Sequence, residues 1–153
     1  MGGYGSKSTK TKGTFYTDSK GYKVKDQHAV IVGEYYINHG KYTVFLHTNP
    51  PHKRADLSVE GRHIEVKGLT TLSPSGVAKK IKEANPQVHG DEYRYPPTTW
   101  RTGKIVLLSC HAPSVSTARI LDAMKKGYEE AVRKKVVDVK VEALIRGVIY
   151  ELG

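Results

Sequence analysis

Cysteine is nearly absent, since the chain of 153 residues contains only Cys110. A single cysteine excludes an internal disulfide and a structural zinc site made of several cysteines. Long hydrophobic runs are absent as well: the longest apolar stretches, Lys104–Leu108 and Ala29–Val32, are far too short to span a bilayer. No charged start leads into an apolar segment. We therefore expect neither a membrane span nor a secretory leader, and a chain that works in a reducing cytosol or without disulfides.

Acidic residues are scarce relative to basic ones. The chain has 15 Asp and Glu against 25 Lys and Arg, which gives a net charge of +10 and an isoelectric point of about 9.6. Such a charge favours anionic partners, namely nucleic acid, an acidic protein or a membrane surface. The charge alone does not choose among these partners.

The composition otherwise suits one globular domain, because 38% of residues are hydrophobic and 26% are charged. Residues 1–25 are rich in Gly, Ser, Thr and Lys, which predicts a flexible basic lead-in or linker with an edge strand near Thr14–Tyr16. Residues 26–153 are predicted to form a single α/β catalytic domain.

The order of the predicted elements indicates the fold class. The residue patterns predict strands at Ala29–Ile37 and Lys41–His47, a small hairpin at Asp56–Leu69 and a helix at Ser73–Ala84. They then predict a strand at Lys104–Cys110, a helix at Ser114–Lys134, and strands at Val137–Val141 and Val148–Leu152. Alternating strands and helices favour an α/β fold, with a mixed sheet, a parallel centre and helices on both faces. A right-handed helical crossover is predicted between the Lys41–His47 strand and the Lys104–Cys110 strand.

Two reactive side chains end predicted strands, His47 and Cys110. If the crossover makes these strands parallel, both residues emerge at the carboxyl edge of the sheet, where α/β folds place their active sites. An imidazole beside a thiol lowers the thiol pKa and carries a proton in acyl transfer. A buried structural cysteine and a hydrogen-bonded surface histidine explain the same positions, so position alone leaves both interpretations open.

A family resemblance adds to this pattern. The segments Thr43–His47 and Ile105–Cys110 resemble the histidine and cysteine strands of caspase-like (clan CD) cysteine peptidases. The segments Leu72–Ile81 and Val106–Cys110 also look like C-terminal domains of bacterial polymorphic toxins. The resemblance implies a caspase-like cysteine hydrolase, expected to be a peptidase that acts as a toxin or effector in bacterial competition.

The resemblance also implies residue roles. Cys110 would be the nucleophile and His47 the general base, with the backbone amides of Thr48 and Cys110 forming the oxyanion hole. The family usually has Gly where this chain has Thr48. His89, which precedes a glycine, is the second candidate for the base.

The resemblance to toxin peptidases also implies which molecules the protein would bind. We expect a protein substrate, an acidic immunity or inhibitor protein, and action in the cytoplasm of a target cell or in the cytoplasm generally. No cofactor and no metal site are predicted, because no two histidines have helical i, i+4 spacing and no carboxylate pair accompanies them.

A nucleic-acid-binding or nuclease toxin domain is the alternative. Ten tyrosines and the basic–aromatic segment Tyr93–Pro97 suit base stacking and phosphate binding. The pair Lys125-Lys126 adds positive charge on the second helix. An ADP-ribosyl transferase, suggested by scattered Tyr and Glu residues in a β-rich chain, ranks third.

Overall fold

The computed structural model describes residues 4–5, 14–17, 26–46, 55–89 and 103–153. These parts contain eight strands and three helices. In chain order they are β1 (Tyr4–Gly5), β2 (Thr14–Thr17), α1 (Gln27–Asn38), β3 (Thr43–Phe45), β4 (Leu57–Val59), β5 (Arg62–Leu69), α2 (Pro74–His89), β6 (Lys104–Ser109), α3 (Thr117–Arg133), β7 (Lys140–Ile145) and β8 (Val148–Glu151).

The described strands form one mixed sheet whose spatial order equals the chain order. Strands β5, β6 and β7 run parallel, as do β2 and β3, and the other neighbours are antiparallel. One core cluster joins α1 to one face of the sheet, and a second joins α2 and α3 to the opposite face. The predicted α/β class, with a parallel centre and helices on both faces, is therefore confirmed.

The predicted strand Ala29–Ile37 is wrong, because this segment is helical and forms most of α1. Its β-branched and aromatic residues favour a strand, but its burial follows the helical period, with Ala29, Val32, Gly33, Tyr36 and Ile37 facing the sheet. Asp26 caps the helix by accepting hydrogen bonds from the amides of His28 and Ala29 at 2.9 and 3.4 Å.

Helix α2 continues through Pro86 to His89, so its predicted end at Ala84 is wrong. Proline removes one backbone donor, but tertiary contacts hold the last turn. Val88 is buried in the core, and Asn85 Oδ1 accepts a hydrogen bond from the Asp138 amide at 3.2 Å. These contacts outweigh the local stop signal.

The remaining predicted elements are close to the observed ones. The small hairpin is confirmed, and its two turn residues, Glu60 and Gly61, have φ of 50° and 79°, as a two-residue turn requires. The strand near Thr14–Tyr16 is confirmed as β2, but its predicted edge position is wrong, because β2 pairs with both β1 and β3. The last strand pair is shifted, since β7 begins at Lys140 rather than at Val137.

The helical crossover predicted between the Lys41–His47 strand and the Lys104–Cys110 strand is wrong, because the helix connects a different pair of strands. Helix α2 joins β5 to β6, and strands β4 and β5 lie between β3 and β6 in the sheet. Strands β3 and β6 run in the same direction, but three strand spacings, about 14 Å, separate them. The two strands of the predicted dyad are therefore not neighbours.

Candidate functional site

Cys110 follows the carboxyl end of β6 and is exposed. Its backbone N–H donates to the Leu69 carbonyl at 2.8 Å, so the amide predicted for an oxyanion hole already has an acceptor. Its thiol points to the Leu108 carbonyl at 3.8 Å. Partial burial raises the pKa of the Cys110 thiol, although a backbone hydrogen bond from Leu69 opposes the shift. This environment favours the neutral thiol over an activated thiolate.

Of the two predicted bases, only His89 lies among the described residues, and it is far from Cys110. His47 and Thr48 lie outside those residues, as does Tyr93–Pro97. His89 contacts Asp138 Oδ1 through Nε2 at 2.8 Å, near the amino end of β6, whereas Cys110 follows the carboxyl end about 20 Å away.

His111, the residue after Cys110, has both ring nitrogens engaged. Its Nε2 lies 2.8 Å from the Thr71 carbonyl, which can only accept, so Nε2 carries the proton. Nδ1 is then the acceptor for the Ser109 hydroxyl at 2.9 Å. The imidazole thus ties the loop after β6 to the loop after β5.

A cavity of about 680 Å³ opens beside Cys110 on the α1 face of the sheet. Its wall contains the apolar side chains Leu108 and Leu144, and Tyr35 stacks on His39 with ring centroids 4.0 Å apart. The volume suits a small ligand. Cys110 is therefore accessible from a cavity, although its thiol is not activated.

A second cluster, the carboxylate pair Asp56 and Glu65 together with Lys67, is built by the β4–β5 hairpin. Glu65 and Lys67 are two residues apart on β5, so their side chains lie on one face of the strand. Their partners on β6, Ile105 and Leu107, belong to the core beneath α2 and α3. The cluster thus lies on the face opposite α1.

Asp56 comes directly before β4 and is held in place by hydrogen bonds to two neighbouring segments. Its Oδ2 accepts a hydrogen bond from the Val66 amide at 2.9 Å, and its backbone carbonyl accepts one from Leu46 at 3.0 Å. This arrangement places its carboxylate close enough to accept a hydrogen bond from protonated Glu65.

Glu65 is 3% exposed, and its two carboxylate oxygens have different surroundings. Oε2 lies 3.6 Å from Lys67 Nζ. Oε1 is buried and receives no hydrogen bond from any described residue. With both acids ionised this oxygen would be a buried acceptor without a donor, so the pair needs either a retained proton or a cation at this point.

Burial raises the pKa values of both acids. Burial, followed by the charge and hydrogen bond of Asp56, raises the pKa of Glu65 to about 9 in spite of Lys67. Burial also raises the pKa of Asp56, although the Val66 amide opposes the shift. The pair therefore holds a proton at neutral pH unless a cation replaces it.

The donor set suits a hard divalent cation better than zinc. Within the described ranges, no group of three or more His, Cys, Asp or Glu side chains is arranged to enclose a metal. Mg²⁺ does not need such a cage, because it binds one or two carboxylates and keeps water and phosphate oxygens as further ligands. Asp56 and Glu65 match that requirement.

The sequence contains a pattern that indicates this cluster, although histidine spacing does not reveal it. In Glu65-Val66-Lys67, an acidic and a basic residue occupy alternate positions of a strand, so their side chains share one face. Asp56 precedes them in the same predicted hairpin. The register of β4 on β5, in which Leu57 pairs with Ile64, extends to Asp56 opposite Glu65.

The amino end of α1 packs against β5 from the face of the sheet opposite the carboxylate pair. A Cβ on Gly68 would lie 2.5 Å from His28 Cε1, so the His28 ring packs directly on the β5 backbone. The charge of Asp26 contributes to the raised pKa of Asp56. Asp26 therefore adds to the electrostatic cost of ionising Asp56.

Comparisons with known proteins found no matching family model, curated protein or solved structure. The caspase-like and toxin resemblance therefore stays a prediction. No helix of the described residues is long and apolar enough to cross a membrane.

Proposed function

We propose that the protein is a divalent-metal-dependent phosphodiesterase that hydrolyses nucleic acid. Asp56 and Glu65 hold the cation, and Lys67 binds the scissile phosphate. The observation that carries the proposal is the buried Glu65 Oε1, which receives no hydrogen bond from a described residue and lies in a carboxyl group beside Asp56. A hard cation would replace the proton that the two acids otherwise share and would give this oxygen a positive partner.

The cation fits the residues present. When bound, it would neutralise charge on the phosphate and lower the pKa of water. Asp56 is held ready by the Val66 amide at 2.9 Å, and Glu65 is held by the pairing of β5 with β6. Both carboxylates are therefore positioned before any ligand arrives.

Lys67 supplies the second positive group. Its Nζ lies 3.6 Å from Glu65 Oε2, and its side chain is more exposed than that of Glu65, at 22% against 4%. The ammonium donates to a non-bridging phosphate oxygen and stabilises the charge that grows in the transition state. Hydrolysis joins the water oxygen to phosphorus and breaks the bond to one sugar oxygen, which takes up a proton.

The net charge of the chain supports a polyanionic substrate. A charge of +10 attracts the phosphate backbone of nucleic acid without sequence preference. Binding should therefore weaken steeply as salt increases. The carboxylate pair provides the local chemistry, and the overall charge provides the attraction.

A cysteine hydrolase of the caspase-like type is the second proposal. The observation that favours it is the exposed Cys110 on the wall of the 680 Å³ cavity. The raised pKa of its thiol and the engaged Cys110 amide weigh against it. Either activity suits a toxin domain acting in target-cell cytoplasm and restrained by an acidic immunity protein.

A cleavage assay with matched variants tests both proposals. Supercoiled plasmid and structured RNA are incubated with the protein and MgCl₂, with EDTA as the metal-free condition. We expect Glu65→Gln, Asp56→Asn and Lys67→Met each to slow cleavage by about 100-fold or more. Glu83→Gln changes an exposed acid on α2 and should leave cleavage unchanged.

Cys110→Ala separates the two proposals. The nuclease proposal expects full nucleic-acid cleavage by this variant, whereas the cysteine hydrolase proposal expects loss of a proteolytic activity. Cleavage that persists in EDTA, or in Glu65→Gln at the wild-type rate, would rule out the metal-dependent mechanism.

A further inference from the structure

A second polar pocket lies on the α1 face of the sheet, opposite the carboxylate pair. Its volume is about 140 Å³. Three cationic side chains and one acid line it, together with a tyrosine and two aliphatic residues: Lys41, Arg62, Lys104, Glu60, Tyr36, Val59 and Ile64. Positive charge therefore predominates in the lining.

Two buried donors in this pocket have no acceptor among the residues that the structure describes. Tyr36 is 8% exposed, and its hydroxyl has no hydrogen-bond partner. The Arg62 Nε atom is also buried and unpaired. Buried donors normally find an acceptor, so both point to a ligand that brings oxygen atoms.

Lys104 is fixed at the base of the pocket. Its Nζ lies 2.6 Å from Glu142 Oε1, and both side chains are almost fully buried. The same Nζ is 5.2 Å from the centre of the Tyr36 ring. Burial lowers the pKa of Lys104; the hydrogen bond and charge of Glu142 oppose this shift, and the nearby charge of Arg62 adds to it. An anion between these cations would relieve their repulsion.

We propose that this pocket binds a phosphate group. The Tyr36 hydroxyl and the Arg62 guanidinium donate to its oxygens, and Lys41 and Lys104 contribute charge. The volume is sufficient for one phosphate group, whereas an attached sugar or base would remain outside. Arg62 and Glu65 are three residues apart on β5 and face opposite sides, so this site is separate from the carboxylate pair.

The probe is inorganic phosphate, titrated into the metal-free protein by calorimetry at constant ionic strength. We expect saturable binding of one phosphate per chain. Tyr36→Phe should weaken it by about fivefold, the value of one hydrogen bond, and Arg62→Gln should weaken it more. Tyr150→Phe and Arg133→Gln, which lie outside the pocket, should bind as the wild type does.

Two oligonucleotides, identical except for a 5′-phosphate, distinguish the source of the group. A preference for the phosphorylated one that Tyr36→Phe abolishes would support a nucleic-acid phosphate at this site. Saturable binding of inorganic phosphate without that preference would support the free ion. Tyr36→Phe removes only a buried, unpaired hydroxyl, so it should fold as stably as the wild type, which thermal unfolding verifies.

The proposal is overturned if neither probe shows Tyr36-dependent binding. It is also overturned if Tyr150→Phe weakens binding as much as Tyr36→Phe does. Because the titration uses metal-free protein and residues outside the carboxylate pair, this outcome would leave the nuclease proposal untouched.

Discussion

Replacing Glu65 by glutamine should change how stability depends on pH. The pKa of Glu65 is raised from its ordinary value of 4.5 to about 9, mainly by burial. The folded chain therefore keeps a proton that the unfolded chain releases between these two values. Stability must fall as pH rises through this interval, because the unfolded state binds fewer protons.

The magnitude follows from the number of protons. Between about pH 5 and pH 8 the folded and unfolded chains differ by close to one proton at Glu65. The free energy of unfolding should then fall by about 1.4 kcal/mol per pH unit, or about 4 kcal/mol over the interval. Glutamine carries no titratable proton, so the variant should lack this decrease.

Urea unfolding at several pH values, in EDTA and followed by fluorescence, measures the difference. We expect the Glu65→Gln curve to be flatter than the wild-type curve, and Glu83→Gln, an exposed acid, to follow the wild type. Mg²⁺ should flatten the wild-type curve, because a bound cation replaces the proton. Parallel wild-type and Glu65→Gln curves in EDTA would refute the reasoning.

Three further outcomes can be measured. The raised pKa of Cys110 predicts slow alkylation of the native thiol with an apparent pKa above 9.0, and a midpoint near neutrality would instead support an activated thiolate. Lys104→Met should destabilise the protein by about 2–3 kcal/mol, below the cost of fully breaking a buried pair, since it removes the 2.6 Å partner of Glu142 Oε1 while Lys140 stays 3.6 Å from Oε2. The double variant with Glu142→Gln should recover part of that loss in the same urea assay; no recovery would contradict the pairing. Gly33→Ala should lower stability by about 1–3 kcal/mol, because its methyl group would overlap the buried Phe45 ring, and an unchanged thermal midpoint would contradict this packing.

The sequence predicted the α/β class because the central elements have a clear period. Strand β6 is a continuous apolar run, and α3 has a regular apolar face. Helix α1 was wrongly predicted as a strand, because its residues have high strand propensity although its buried residues recur with the helical period. Val30, Ile31 and Val32 favour a strand, but only the helical period buries Ala29, Val32 and Tyr36 together.

The candidate site depended on contacts that local patterns do not contain. Asp56 and Glu65 are nine residues apart, and only the pairing of β4 with β5 places their carboxyl groups together. Cys110 was recognisable as the end of a central strand, but its pKa depends on how far the folded chain excludes water. The distance between β3 and β6 likewise depends on two strands inserted between them.

The raised pKa of Glu65 runs against the excess positive charge of the chain. A net charge of +10 should lower the pKa of an average carboxyl group, yet the pKa of Glu65 is raised to about 9. Burial and the adjacent Asp56 therefore outweigh both the overall field and Lys67 at 3.6 Å. Lys67 reaches only Oε2, so Oε1 depends on the proton that the pair retains; under the proposed function, a compact divalent cation would take the place of that proton and leave Lys67 to bind phosphate.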